Sequence, residues 1–382
     1  MKELKIKKYL VIFIIINTIF INCNFQISLF EQLNKKNKGK NLTISPLSIF
    51  QAISLVTNGA NGETQKELLK LLDDKGMEEI NEINLKILSE LKEITSLEIG
   101  NAIMTKLSPI NKFSKIAKDN YLAEIQPLKN VKQVNKWCEK KTHGKIKEII
   151  DKLNDNIFMI ILNAVYFKGQ WVNKFSKELT TKKIFYNYNS EKDGKKVDTM
   201  SNTEHYSYFE DSNLQAIDFK YQKDAMSSLI ILPKKKIDIN EFISILKDDN
   251  NYLYTIIDNL KYCKVNVEIP KFEITYKESL KEVIKEMGVN LAFNVNADFS
   301  KIRTQNDLMI DDIIHKTYLK VNEEGTEAAA VTVVEMLNMA MPPRQEIIYD
   351  MIINRPFLFI IRKRNLPKNY DIIFISKVEE LN

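Results

Sequence analysis

Apolar positions along this chain recur in two periods. Spacing of three to four residues puts Phe25, Leu29, Phe30 and Leu33 on one face and predicts a first amphipathic helix that ends near Gly39. Ser45-Pro46 reads as a helix N-cap followed by proline at the first helical position, where its missing N–H is no loss. The apolar residues 47–56 then predict a buried second helix. The same period predicts helices over about 78–94, 131–141, 239–247 and 279–287. Apolar, β-branched runs at 158–167, 227–232, 265–272, 357–361 and 372–378 predict strands. The run 158–167 is apolar on both faces, so it belongs in the interior of a sheet that is covered on both sides. The fold class is therefore α+β. The chain shows no internal repeat, no low-complexity linker and no clear domain boundary.

Residues 321–341 carry the most informative pattern. In a strand, alternate side chains share a face. One set here is Thr326, Ala328, Ala330, Thr332, Val334 and Met336, every member small or apolar; the other holds Glu327 and Glu335 with Ala329, Val331 and Val333. That is the pattern of a strand with one face on a core. Yet Gly325 offers a hinge, the alanines favour neither an edge strand nor a turn, and Pro342-Pro343 stops pairing beyond it. Periodicity alone leaves a permanent strand and a solvated helix open as readings of the same residues.

Composition narrows the class without naming it. With 382 residues, 44% hydrophobic and 28% charged, the chain can bury a large core and needs neither disulfides nor metals to stay folded. Lys2, Lys5, Lys7 and Lys8 precede an apolar run from Tyr9 to Ile21 that is too short to span a membrane comfortably. This is a signal-peptide pattern, with cleavage expected near Cys23: residues 1–23 are the leader, 24–382 one domain, and the product secreted and extracellular. Loss of four lysines and one glutamate lowers the formal charge from +6 to +3. No dense basic tract suggests nucleic acid, and no membrane partner is expected. Cys138 and Cys263 have no CxxC neighbour and read as packing residues or free thiols. There is no GxSxG elbow, no HExxH, no phosphate loop and no clustered Cys/His set, so no catalytic residue, metal site or cofactor is expected.

Several motifs then occur in one order: Asn41-Leu-Thr-Ile-Ser-Pro-Leu-Ser48, Val134-Asn-Lys-Trp137, Thr142-His-Gly-Lys-Ile146, Asn163-Ala-Val-Tyr-Phe-Lys-Gly-Gln-Trp171, His315-Lys316, Glu323-Glu-Gly-Thr-Glu-Ala-Ala-Ala330 and Asn354-Arg-Pro-Phe-Leu-Phe359. In these the chain resembles the serpins, from about residue 25 to residue 378. The resemblance implies a large mixed β-sheet plus two smaller sheets, about eight or nine helices, and an exposed C-terminal reactive loop over about 323–346. It also implies a suicide-substrate mechanism, in which a serine protease cuts the loop and is trapped as a covalent acyl complex while the freed segment inserts into the main sheet.

Residue by residue, the resemblance implies a loop hinge at Glu323, Glu324, Gly325, Thr326, Ala328, Ala329 and Ala330. Ser45, Ser48, Asn163 and His315 form a structural polar cluster under the centre of the main sheet, with Gly169 and Trp171 near its upper entry. Counting seventeen residues from Glu323 places the reactive bond between Met339 and Ala340. An unbranched apolar side chain at that position suits chymotrypsin-like enzymes, cathepsin G-like or elastase-like. The segment between Met339 and Asn354 is longer than in many relatives, which leaves Leu337 and Arg344 as other cleavage positions, Arg344 for trypsin-like proteases. A noninhibitory carrier or chaperone, and an inhibitor of papain-like cysteine proteases, are the competing readings. A monomer is expected.

Overall fold

The computed structural model describes residues 24–326 and 346–382, apart from 93, 95, 155, 189, 191–193, 224 and 250. The expected leader 1–23, the expected hinge residues Ala328, Ala329 and Ala330, the expected reactive bond Met339-Ala340 and the alternatives Leu337 and Arg344 lie outside the described residues.

Helix α1 (Phe25–Lys36) starts at Asn24, whose side-chain oxygen accepts from the Gln26 and Ile27 amides. After β1 (Leu42–Ile44) comes α2 (Pro46–Gly59), buried along its whole length. The chain continues through α3 (Gly62–Leu71), α4 (Met77–Leu91), β2 (Leu97–Thr105), α5 (Asn111–Tyr121), β3 (Glu124–Pro127), α6 (Val131–Lys141), β4 (Met159–Phe167) and β5 (Gly169–Gln170). Its second half holds β6 (Thr181–Phe185), β7 (Lys195–Glu210), β8 (Leu214–Lys220), β9 (Met226–Pro233), α7 (Ile239–Asp248), α8 (Tyr252–Asp258), β10 (Lys261–Pro270), β11 (Phe272–Ser279) and α9 (Lys281–Glu286). The last strands are β12 (Asp312–Asn322), β13 (Gly325–Thr326), β14 (Ile348–Ile352), β15 (Phe357–Lys363) and β16 (Ile372–Val378). Nine α-helices lie among the described residues, as the resemblance implied.

The strands form two hydrogen-bonded systems. One has nine strands in the order β1-β16-β15-β9-β8-β7-β10-β14, with β6 also on β7. The two smaller sheets of the expectation run into one another here, because the 16-residue β7 pairs with β6 and β10 along its length and with β8 at its end. The other system has seven strands in the order β3-β2-β4-β12-β13-β5, with β11 on the far side of β12.

Strand β4 is buried at all nine positions and lies between β2 and β12, as its two apolar faces require. Met159, Ile161, Val165 and Phe167 point into the main core with α2, whereas Ile160, Leu162 and Ala164 pack with Val134 and Trp137 of α6. The single run 265–272 is two strands in different sheets. β10 ends at Pro270, the Lys271 amide turns to Asp198 O, and β11 begins at Phe272.

Candidate functional site

The centre of the seven-stranded sheet is a parallel seam. β12 pairs directly with β4 from Asp312↔Ile160 to Tyr318↔Tyr166, and His315 is the register partner of Asn163. Parallel neighbours joined by a long connection are held by this ladder and by the side chains packed on its two faces.

Under the seam lies a closed polar cluster. The Ser45 amide donates to His315 Nε2 at 3.1 Å, so Nε2 is the acceptor nitrogen and Nδ1 carries the proton. Nδ1 donates to Asn163 Oδ1 at 2.5 Å. The same oxygen accepts from Ser48 Oγ at 2.8 Å, and Asn163 Nδ2 donates to Asn101 Oδ1 at 2.7 Å. His315, Ser45, Ser48 and Asn163 are all fully buried. Burial pulls the imidazole down to about 3, so it is neutral across the physiological range. The cluster joins α2 to both strands of the seam.

One detail departs from the sequence reading. Ser45 occupies the N-cap position of α2, but its hydroxyl makes no capping bond and has no partner among the described residues; its backbone N–H makes the contact instead, to His315. Asn101, the lone amide in an otherwise apolar stretch of β2, completes the network and is missing from the sequence reading.

At the upper end the seam is not closed by β4. β12 turns at Glu323 and Glu324, and β13 comes back antiparallel to it, with Asn322↔Gly325 and Val321↔Thr326. On its other side β13 pairs antiparallel with β5, as Gly325↔Gln170 and Thr326↔Gly169. Gly325 and Thr326, two residues of the expected hinge, therefore lie between the strand lines of β12 and β4–β5 as a short central strand. Thr326 is fully buried, and its Oγ1 lies 2.6 Å from the Tyr221 hydroxyl, which also meets Ser228 Oγ at 2.6 Å.

Glycine is required on both sides of this contact. Gly325 has φ +149°, and a Cβ there would sit 1.9 Å from the Gly169 carbonyl oxygen. A Cβ on Gly169 would fall 2.6 Å from the Tyr221 ring. Trp171 closes the entry from outside. Its ring stacks on Tyr221 at 4.6 Å, its Nε1 donates to Asn322 O, and its amide donates to Glu324 O.

Ionic contacts hold the turn itself. Glu323 accepts from Thr180 Oγ1 at 2.8 Å and Lys271 Nζ at 3.0 Å, and Glu324 pairs with Lys174 at 2.8 Å. Burial alone would raise the Glu323 carboxyl; its backbone hydrogen bond and these donors hold it below the usual carboxylate range. The structure thus brings together every described residue singled out in the sequence, in two groups: Ser45, Ser48, Asn163 and His315 below the seam, and Gly169, Trp171, Glu323, Glu324, Gly325 and Thr326 at its top. Tyr221, which meets Thr326, and Ser228, which meets Tyr221, carry no signal in the sequence.

Among the described residues no group of three His, Cys, Asp or Glu side chains is arranged to hold a metal ion. Cys138 is buried and free, its thiol pushed up to about 12 by burial, so it packs rather than reacts. No helix among the described residues is long and apolar enough to cross a membrane.

Comparison with known proteins agrees with this architecture. The chain is 33% identical over 365 residues to intracellular coagulation inhibitor 2 of Tachypleus tridentatus, covering 90% of this chain and 87% of that protein. It is 29% identical over 360 residues to antichymotrypsin-2 of Bombyx mori, covering 89% and 93%. Among solved structures it superposes on the thermophilic serpin tengpin in its native state with a TM-score of 0.83 at 31% identity, over 94% of this chain and 93% of that one. It superposes equally on thyroxine-binding globulin in complex with thyroxine, with a TM-score of 0.83 at 28% identity over 94% and 98%. Residues 21–381 match the family described as serpin (serine protease inhibitor), and with the seam, its buried cluster and the glycine-hinged strand in place, the chain belongs to the serpin family.

Proposed function

We propose that this protein is a secreted, irreversible suicide-substrate inhibitor of chymotrypsin-like serine proteases, cut at the Met339-Ala340 bond. The observation that carries the reading is the position of β13. Gly325 and Thr326 already pair on both sides, antiparallel, between the strand lines of the seam. If those registers continue, Ala328 and Ala330 follow down the seam, and Thr332 comes opposite both His315 and Asn163; the β12–β4 register makes the two countings agree. The small and apolar set Thr326, Ala328, Ala330, Thr332, Val334 and Met336 then shares one face of the added strand.

Cleavage after Met339 frees this segment to continue what β13 begins. A strand in that position gains hydrogen bonds on both edges and buries apolar surface at roughly 25 cal/mol per Å². That gain is withheld from the intact loop and released by the protease, which is carried across the molecule as an acyl-enzyme and distorted before it can hydrolyse the bond. No residue of this chain performs catalysis: the nucleophile belongs to the protease, and the buried neutral His315 is a structural group. Methionine at the cleaved position suits an open apolar slot, and antichymotrypsin-2 is among the relatives. The leader pattern in residues 1–23 supports secretion, and the proposed functional form is a monomer.

The test is to mix the purified protein with chymotrypsin-like, elastase-like and trypsin-like proteases and analyse the products by denaturing gel and intact mass. A denaturation-resistant complex and a released peptide beginning at Ala340 are expected. A peptide beginning after Arg344 would move the target to trypsin-like enzymes, for which the antitrypsin of Bombyx mori, 29% identical, is a precedent in name. Clean cleavage with full protease activity would favour a carrier, the second reading, which the likeness to thyroxine-binding globulin motivates.

A further inference from the structure

A cavity of about 870 Å³ lies apart from the seam, between the segment that follows β6, the β9–α7 connection and the residues leading into β15. Its wall carries three cations, Lys235, Lys236 and Arg355, and one carboxylate, Asp238. The neighbouring Lys234 is ion-paired with Glu210 at 3.2 Å, but no ion pair is made by Lys235 or Lys236 among the described residues. The Arg355 guanidinium donates to the Pro233 carbonyl at 2.9 and 3.1 Å and to Asn354 Oδ1 at 3.4 Å, all neutral acceptors. Asp238 does not balance these charges freely, because it is the N-cap of α7 and its Oδ1 accepts from the Asn240 and Glu241 amides.

Two tyrosines, Tyr186 and Tyr188, are also among the residues that line the cavity. Their backbones are held in place: the Tyr186 amide donates to Asn354 O at 2.8 Å and the Tyr188 amide to Glu379 O at 2.9 Å. A concave site of this size takes a drug-sized ligand. Cations that make no ion pair among the described residues select the sign of that ligand, and tyrosine rings provide flat apolar contact with a polar tip.

We infer that this cavity binds a small organic anion, with a carboxylate, sulfate or sulfonate set against Arg355 and the Lys235-Lys236 pair and a ring-bearing body against Tyr186 and Tyr188. A metal ion has the wrong charge for the site. The cavity also touches Asn354, Arg355 and Pro356, just beyond β14, so a bound ligand joins the β6 segment to the start of β15 and stabilises both.

The test uses the full chain with 8-anilinonaphthalene-1-sulfonate as an aromatic anion, sodium sulfate as the bare anion, and N-phenyl-1-naphthylamine as a neutral aromatic. One saturable site for the aromatic sulfonate is expected, weakened at least tenfold by Lys235→Glu/Lys236→Glu and several-fold by Tyr186→Ala, and weakened by salt. The lysines are exposed, so the double variant should melt at the wild-type temperature without ligand. An affinity unchanged in the double variant, or no saturable site at all, overturns the inference. Equal affinity for sulfate alone, or for the neutral amine, overturns the paired recognition of charge and ring.

Discussion

His315 and Asn163 face one another across the seam between β12 and β4, joined by an Nδ1–H···Oδ1 hydrogen bond of 2.5 Å. The proton sits on Nδ1 because Nε2 accepts from the Ser45 amide; a second proton, on Nε2, would leave the bond to Asn163 in place and abolish the one from Ser45.

That protonation state makes stability depend on pH. The folded imidazole titrates near 3 against 6.5 for the free side chain, so as pH falls the unfolded chain takes the proton first. This contribution is fully present above about pH 6.5 and declines by about 1.4 kcal/mol per pH unit toward pH 3. Urea midpoints of wild type and His315→Gln at pH 7.5, 6 and 5 measure it. The wild type should lose more than the variant over that interval; parallel losses would remove His315 as the cause.

Gly325 tolerates no side chain where it is. In Gly325→Val the Cβ meets the Gly169 carbonyl and the φ of +149° is strained, so β13 should leave the sheet and uncover Tyr221 and Trp171. The expected readouts are a red-shifted tryptophan emission and faster proteinase K cleavage near residue 325. Unchanged emission and cleavage would mean that the strand pairing is not what seats the hinge.

Thr326 separates burial from hydrogen bonding. Thr326→Arg places a charge with no counter-ion in a fully buried position, so the hinge cannot seat and the variant should be cleaved as a plain substrate. Thr326→Val keeps the volume and loses only the 2.6 Å contact to Tyr221, and should still form complex. Undiminished complex yield in Thr326→Arg, read on denaturing gels, would contradict the insertion argument.

Lys377 and Glu379 form an ion pair of 2.5 Å with neither side chain exposed, supported by Asn240 and the Asn37 carbonyl. Lys377→Met strands the carboxylate and should cost about 3–5 kcal/mol. Lys377→Met/Glu379→Leu removes both charges and should recover most of that loss. Denaturant unfolding of the two variants decides it, and equal destabilisation would show that packing, not charge, dominates at this place.

Long apolar stretches are legible in the sequence: the runs predicted for β4, β15 and β16 lie within a residue or two of the strand bounds, and α6 has the bounds that its apolar spacing predicts. Short elements escape: α3 and α5 present few apolar positions, and α8 is only seven residues long. The long β7 escapes because exposed and half-buried residues interrupt it. At the site, Ser48, Asn163 and His315 meet from three distant parts of the chain, so no local period joins them; the motif resemblance does. Thr326 reads in the sequence as a residue that insertion would bury, and the structure has it buried already, since the turn at Glu323 and Glu324 folds β13 straight back onto β12.

The parallel seam has a temporal consequence. On the proposed mechanism, each β12–β4 register from Asp312 to Tyr318 must part before a new strand can replace it, so the uncut loop is kept out by a barrier and not by the final energy balance. The useful life of the inhibitor is then a rate, set by how often the seam opens unprompted. Such rates climb steeply on heating, several-fold for each ten degrees, so stored protein should run down on a clock read by temperature, with the buried cluster under the seam as its escapement.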